Sequence, residues 1–112
     1  MMVQSKTGLF ETELQRNAEF FKALSHPARL AILKYLSETR TCITGDITEE
    51  LPLSRTTVNQ HLKELKKVGL IRGTIEGART NYCLDPARID DLRNTARKFI
   101  DNLCSSCKEI CC

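Results

Sequence analysis

No stretch of the 112-residue chain approaches the roughly eighteen consecutive apolar residues that a membrane span needs, and no apolar leader segment follows Met1. The expectation is a soluble, cytoplasmic protein with no membrane association. The same lack of a secretion signal decides how the six cysteines are read. In a secreted chain of this size they would suggest disulfides; here they are read as reduced thiols available for metal or redox chemistry. Histidine is scarce, and neither His26 nor His61 lies near the cysteine-rich end. Asp101 and Glu109 flank that end without an imidazole beside them, so a nitrogen- and oxygen-rich zinc or cobalt site is not expected there. Bulk charge is also slight, at +3. One domain of this length can bury only a modest core while presenting a binding surface, and a dimer would help with both.

What the chain does have is a patterned stretch over residues 43–68. A short helical segment around residues 47–51 ends at Pro52, which has no N–H to donate, and Ser54 then offers a hydroxyl to the free N–H groups of a second helix. Val58, Leu62, Leu65 and Val68 recur on that helix at helical spacing and must face inward. The opposite face carries Arg55, Thr56, Asn59, Gln60, Lys63 and Lys67, side chains suited to base edges and phosphates. An ordinary solvated surface helix would show the same periodicity. Charge placement favours the nucleic-acid reading: residues 54–81 hold six Lys/Arg against two acids, so the basic surface is concentrated there although the whole chain is nearly balanced.

Gly69 follows the helix, then a β-rich run through Leu70 and Ile75, a Glu76-Gly77-Ala78 turn, and a second run from Arg79 to Leu84. Two such runs joined by a glycine-containing turn predict a hairpin. Helix-turn-helix (43–68), basic-tipped hairpin (69–84) and a closing segment (85–112) make one winged helix-turn-helix domain, mainly α with a small β-hairpin. Its second helix would enter the major groove of double-stranded DNA while Arg72 or Arg79 reaches the backbone or minor groove.

The run Ala23-Leu24-Ser25-His26-Pro27-Ala28-Arg29-Leu30-Ala31-Ile32-Leu33, then Thr56-Thr57-Val58-Asn59-Gln60-His61-Leu62-Lys63-Glu64-Leu65, then Gly69-Leu70-Ile71, resembles the ArsR/SmtB family of bacterial metalloregulatory repressors. The resemblance covers approximately residues 10–100. It implies a homodimeric winged-helix repressor that binds a partly palindromic operator and lets go when a metal or metalloid binds. On this reading the DNA-contacting set is Ser54, Arg55, Thr56, Thr57, Asn59, Gln60, His61, Lys63, Lys67, Arg72 and Arg79.

Outside the reading unit, residues 1–9 lack a pattern and are expected to form a loose tail. A first helix starting near Phe10 or Glu11 would carry an apolar stripe of Phe10, Leu14, Ala18, Phe21 and Leu24. A second helix begins at Pro27 and runs to about Ser37. His26 belongs to the connection between them, because a metal needs several convergent ligands. Asp85-Pro86 signals the last helix, with Asp as N-cap and Pro at the first helical position. Its residues Ile89, Leu92, Ala96, Phe99, Ile100 and Leu103 form a seam. Packing on its own domain would account for that seam, but with two apolar stripes available, a dimer interface made by the first and last helices is favoured.

The chemistry lies in Cys104, Cys107, Cys111 and Cys112, four thiols in nine residues, a soft-ligand signal for Zn, Cd, Pb, Cu(I) and thiophilic metalloids. In an unbroken helix Cys104 and Cys111 stand about 10 Å apart along the axis, too far for one ion. Either Cys107, Cys111 and Cys112 act together with the last turn unwound, or Cys104 and Cys107 join a thiol from elsewhere, such as Cys42 or a partner chain. Resemblance to the arsenic-responsive members would imply a Cys-x-Cys pair before Asp46; here Thr44 stands where the second thiol would be, which shifts weight to the C-terminal cluster. Cys83 reads as a small strand residue.

Three functions are compatible with these features. The leading one is a repressor released by a thiophilic ion, trivalent arsenic or antimony first, cadmium, lead or zinc next. A second is a repressor switched by oxidation of Cys104 and Cys107 to a disulfide. The third, a thiol oxidoreductase, needs a βαβ context that the chain lacks, so the protein is read as no enzyme.

Overall fold

Local signals lay down most of the architecture of the computed structural model, which describes residues 6–39, 43–44, 51–76 and 79–109, with side chains described for 8–39, 51–75 and 81–105. The elements are α1 (Thr12–Ala23), α2 (Pro27–Thr39), β1 (Ile43–Thr44), α3 (Arg55–Lys67), β2 (Ile71–Glu76), β3 (Arg79–Leu84) and α4 (Pro86–Glu109). Ser54 caps α3 as its position predicts, its Oγ accepting from the Thr57 N–H at 3.3 Å and donating to Thr57 Oγ1 at 3.0 Å. Asp85 caps α4, its Oδ1 accepting from the N–H groups of Ala87 and Arg88 at 3.1 and 3.3 Å. His26 does the same for α2 with a ring nitrogen, Nδ1 accepting from the Ala28 N–H at 3.0 Å.

The end of α3 is equally determined by its sequence. Gly69 takes φ +85°, a left-handed conformation that costs glycine nothing, and lets its N–H reach the Lys66 carbonyl while the Leu70 N–H reaches that of Leu65. Leu65 and Leu70, brought together by this turn, are both fully buried. The chain then enters the hairpin of β2 and β3, paired antiparallel from Ile71 opposite Leu84 to Glu76 opposite Arg79. Gly73 sits where the strands approach so closely that a Cβ would lie 1.9 Å from the Asn81 carbonyl oxygen.

One core joins these parts: Phe20 and Ala23 from α1, Ile32 and Leu36 from α2, Val58, Leu62 and Leu65 from α3, and Leu70, Ile71, Ile75 and Tyr82 from the hairpin and its approach. Among the described hydrophobic residues of α4, Ile89 and Leu92 pack against it. The rest of α4 runs past the core along α1, where Phe99 meets Phe21 with ring centroids 5.9 Å apart and Lys98 Nζ lies 3.7 Å from Glu13 Oε1. No helix among the described residues is long and apolar enough to cross a membrane.

Three expectations are corrected. Lys6–Leu9 is not loose but forms a 3-10 turn. The hairpin is part of a three-stranded sheet in the order β1-β3-β2, with Ile43 opposite Tyr82 and Thr44 opposite Asn81, so the chain enters the helix-turn-helix stretch through a strand. The inward face of α1 is Asn17, Phe20 and Ala23 rather than the stripe through Phe10, Leu14 and Ala18, which are exposed. The helix segment expected around residues 47–51 lies outside the described residues up to Leu51, which is half-buried against the core.

Candidate nucleic-acid interface and thiol cluster

Burial of Val58, Leu62 and Leu65 fixes the rotation of α3 about its axis, and with it what the helix shows to solvent. Arg55, Thr56, Gln60 and Lys63 are exposed, Asn59 and Thr57 are half-buried beside them. Ser54 and Thr57 use their hydroxyls on each other, so at this end they organise the helix start, which also presents backbone N–H groups suited to a phosphate. Lys67 is exposed at the opposite end but turned toward α1, where it lines an open groove of about 430 Å³ with Arg16, Glu19 and Arg88. The candidate reading face is therefore concentrated in the first two and a half turns of α3.

The wing is tied to that face. Lys66 Nζ donates to the carbonyl oxygen of Gly73 in β2, and Ile71 and Ile75 share the core with the buried side of α3. Arg72 is exposed on β2; Arg79 opens β3, with its side chain outside the described set. Changing Gln60 to Ala should relax base preference at one position by about 1–3 kcal/mol, because a bidentate amide would be lost, whereas Arg72→Ala should weaken all duplexes alike and lower the salt slope by roughly one. Binding isotherms on sequence-varied duplexes at several salt concentrations check both; unchanged preference in Gln60→Ala would displace the reading face.

His61 occupies the flank of α3 rather than its outer face. Its Nδ1 accepts from Arg29 Nε at 3.1 Å, and its ring lies 4.3 Å from that of His26, tilted by 44°. Arg29 also donates through Nη1 to the Lys22 carbonyl at the end of α1, at 3.1 Å. Burial, then the His26 and Arg29 charges, hold the His61 imidazole below its ordinary pKa of 6.5. Sequence patterning does not reveal Arg29: the two side chains meet across 32 positions, and no periodicity encodes that.

Among the thiols, Cys104 is exposed on α4 and Cys83 is half-buried in β3. The backbone of α4 continues helically through Cys107 to Glu109, which puts Cys104 and Cys107 one turn apart on one helix, about 4.5 Å along its axis. Two thiolates so spaced suit a soft ion, and the donor set of the cluster fits a thiophilic ion with further sulfur ligands. The Cys107 side chain and Cys111, Cys112 and Cys42 lie outside the described residues. Among the described residues no three His, Cys, Asp or Glu side chains converge as a metal site.

Comparison with known proteins places this arrangement in context. Residues 24–74 match a helix-turn-helix domain family. The chain is 35% identical over 89 residues to an uncharacterised HTH-type transcriptional regulator of Methanocaldococcus jannaschii, an alignment covering 80% of this chain and 96% of that one. It is 34% identical over 71 residues to the HTH-type transcriptional repressor SmtB of Mycobacterium tuberculosis, covering 63% and 52%. Its fold superposes on the structure of an ArsR-like transcriptional regulator from a Rhodococcus species with a TM-score of 0.64 and 25% identity, over 86% of this chain and 92% of that one.

Proposed function

We propose that this chain, which belongs to the ArsR/SmtB family of helix-turn-helix transcriptional regulators, is a cytoplasmic homodimeric repressor that leaves its operator when a thiophilic ion binds the cysteines at the end of α4. Trivalent arsenic or antimony is the preferred inducer, with cadmium, lead or zinc next. The observation that carries the reading is that Cys104 and Cys107 lie on α4, whose capping residue Asp85 donates its N–H to the Leu70 carbonyl at 3.0 Å, just beyond the end of α3.

The dimer is supported by what the single chain leaves uncovered. Phe10 and Leu14 on the α1 side and Ile100 and Leu103 on α4 are 42–60% exposed, and Leu14 and Leu103 line the same groove. A second copy laid against α1 and α4 would cover this surface and set the distance between two α3 helices, which must match two operator half-sites. Release then requires the ion to favour the form that fits DNA poorly; a coupling of about 1–3 kcal/mol corresponds to a roughly 5–150-fold change in operator affinity. Soft ions bind thiolates, so binding releases protons and inducer affinity should rise with pH through the neutral range.

The test is a DNA-release titration with arsenite, antimonite, cadmium, lead and zinc in parallel, under excess phosphine reductant, which does not offer competing thiols. Release by at least one ion is expected. Release only when the reductant is withheld would indicate a Cys104/Cys107 disulfide switch instead, and no release in either condition would remove the thiols from regulation.

A further inference from the structure

We infer that Arg29 is a positioning residue for DNA recognition, steadying the flank of α3 through a hydrogen bond that exists only while the His61 ring is uncharged, so that sequence-specific binding weakens on acidification. The inference rests on DNA reading by α3 and is independent of thiol chemistry at the end of α4.

The geometry makes one guanidinium a tie among three helices. Arg29 stands in the first turn of α2, its Nη1 donates to the Lys22 carbonyl at the end of α1, and its Nε donates to His61 Nδ1 midway along α3. Guanidinium has no acceptor and keeps its protons at every relevant pH, so the 3.1 Å contact requires a lone pair on Nδ1 and leaves the single ring proton on Nε2. The His26 Nδ1 is likewise used as an acceptor, by the Ala28 N–H. A metal bridging the two Nε2 atoms would have to move both ring protons and break both bonds, so the pair is suited to holding helices rather than chelation.

A second proton on His61 would set a donor against a donor and a cation against Arg29. The surrounding groups do not offset it. Arg29 shares its open groove with Glu19 and Lys22 from α1 and Glu64 and Lys67 from α3, while His26 faces the ring from the residue just before α2. None of these carboxylates forms an ion pair with His61 among the described residues. Because burial, then His26 and Arg29, lower the folded-state pKa below 6.5, the uncharged ring and its bond are fully present above about pH 6.5 and are lost as the pH falls from there through the folded-state pKa. Loss of the tie frees α3 to shift relative to α1 and α2, which harms base-edge contacts that need fixed geometry more than phosphate contacts that do not.

The experiment compares two 30-base-pair duplexes, one selected from a random pool by the wild-type protein at pH 7.5 and one with the same composition scrambled. Affinity for each is measured at pH 7.5, 6.5 and 5.5 at constant ionic strength, and the selected-to-scrambled ratio cancels the general gain in positive charge. The ratio should fall progressively on acidification in the wild type, by less than about tenfold at pH 5.5, because one proton taken up below pH 6.5 can shift an affinity by no more than about tenfold per pH unit. In His61→Gln, whose amide oxygen can accept from Arg29 without titrating, it should stay within about twofold across the range. In Arg29→Ala it should start low at pH 7.5 and fall little further. A wild-type ratio that is flat or rises on acidification, or a parallel fall in His61→Gln, overturns the inference. Wild-type protein that does not distinguish the duplexes at pH 7.5 overturns the reading of α3 itself, and this inference with it. Independently of any variant's folding, nitrogen-15 spectra of the wild type at pH 7.5 should show His61 protonated at Nε2 and bare at Nδ1; a proton on Nδ1 is the contrary result.

Discussion

Leu103→Glu is expected to convert the proposed dimer to a folded monomer and to lower operator affinity by about 10²–10⁴-fold, the range lost when two linked binding events become one. Leu103 is 50% exposed in the single chain, beside Ile100 and across the groove from Leu14, so a carboxylate there remains hydrated in the monomer and need not disturb the core. Between two copies the same carboxylate would be buried without a partner, and symmetry introduces it twice, at a cost of several kcal/mol per ion. Phe99→Glu should act in the same direction, but it also removes the Phe21 contact and so mixes assembly with stability. Sedimentation velocity reads the first effect and operator binding the second. A Leu103→Glu protein that sediments as a dimer would place the interface elsewhere.

Replacing Cys107, Cys111 and Cys112 together by Ser should leave operator affinity within about twofold and abolish arsenite-induced release. None of the three positions belongs to α3 or the hairpin, so the candidate reading face keeps all of its own residues. Serine hydroxyl is a hard, protonated donor near neutral pH, and a thiophilic ion has no reason to prefer it over water. The roughly 5–150-fold release attributed to the site should therefore vanish rather than diminish. Cys83→Ser should change neither property, since that residue lies within β3, opposite Arg72, and Cys42→Ser should matter only if Cys42 supplies a further ligand. Normal release by arsenite in the triple variant would move the site to Cys42.

Legibility followed the range of the interaction. Ser54, Asp85-Pro86 and the Gly69 turn act on residues within one helical turn, and each shaped its helix end as its chemistry dictates. The hairpin was legible for the same reason, being two neighbouring runs around a short turn. The two-residue strand β1 was not, because Ile43 and Thr44 are too few to show a period and their partners lie almost forty positions away. On α1, burial of the polar Asn17 and exposure of Leu14 and Ala18 pointed the apolar pattern away from the true inner face. For the thiols, donor type and number point to soft-ion chemistry, while spacing leaves the ligand set open.

With the Asp85 N–H bonded to the Leu70 carbonyl, α4 would act as a lever pivoting beside the end of α3 if an ion drew on its far end and the Phe99–Phe21 contact slid to follow. Cys107 stands 21 residues beyond Pro86, which is about 31 Å of arm at 1.5 Å per residue. A pull of roughly 3 Å at the thiols therefore turns the arm by only about 5°, but with a large mechanical advantage at the pivot. The tip of α3, about 18 Å from that pivot, would swing by roughly 1.7 Å if helix and arm turn together. That travel is short for remodelling a fold yet comparable to the tolerance of a side chain meeting a base edge. In a symmetric pair the two tips swing in opposite senses, so the misfit between them doubles.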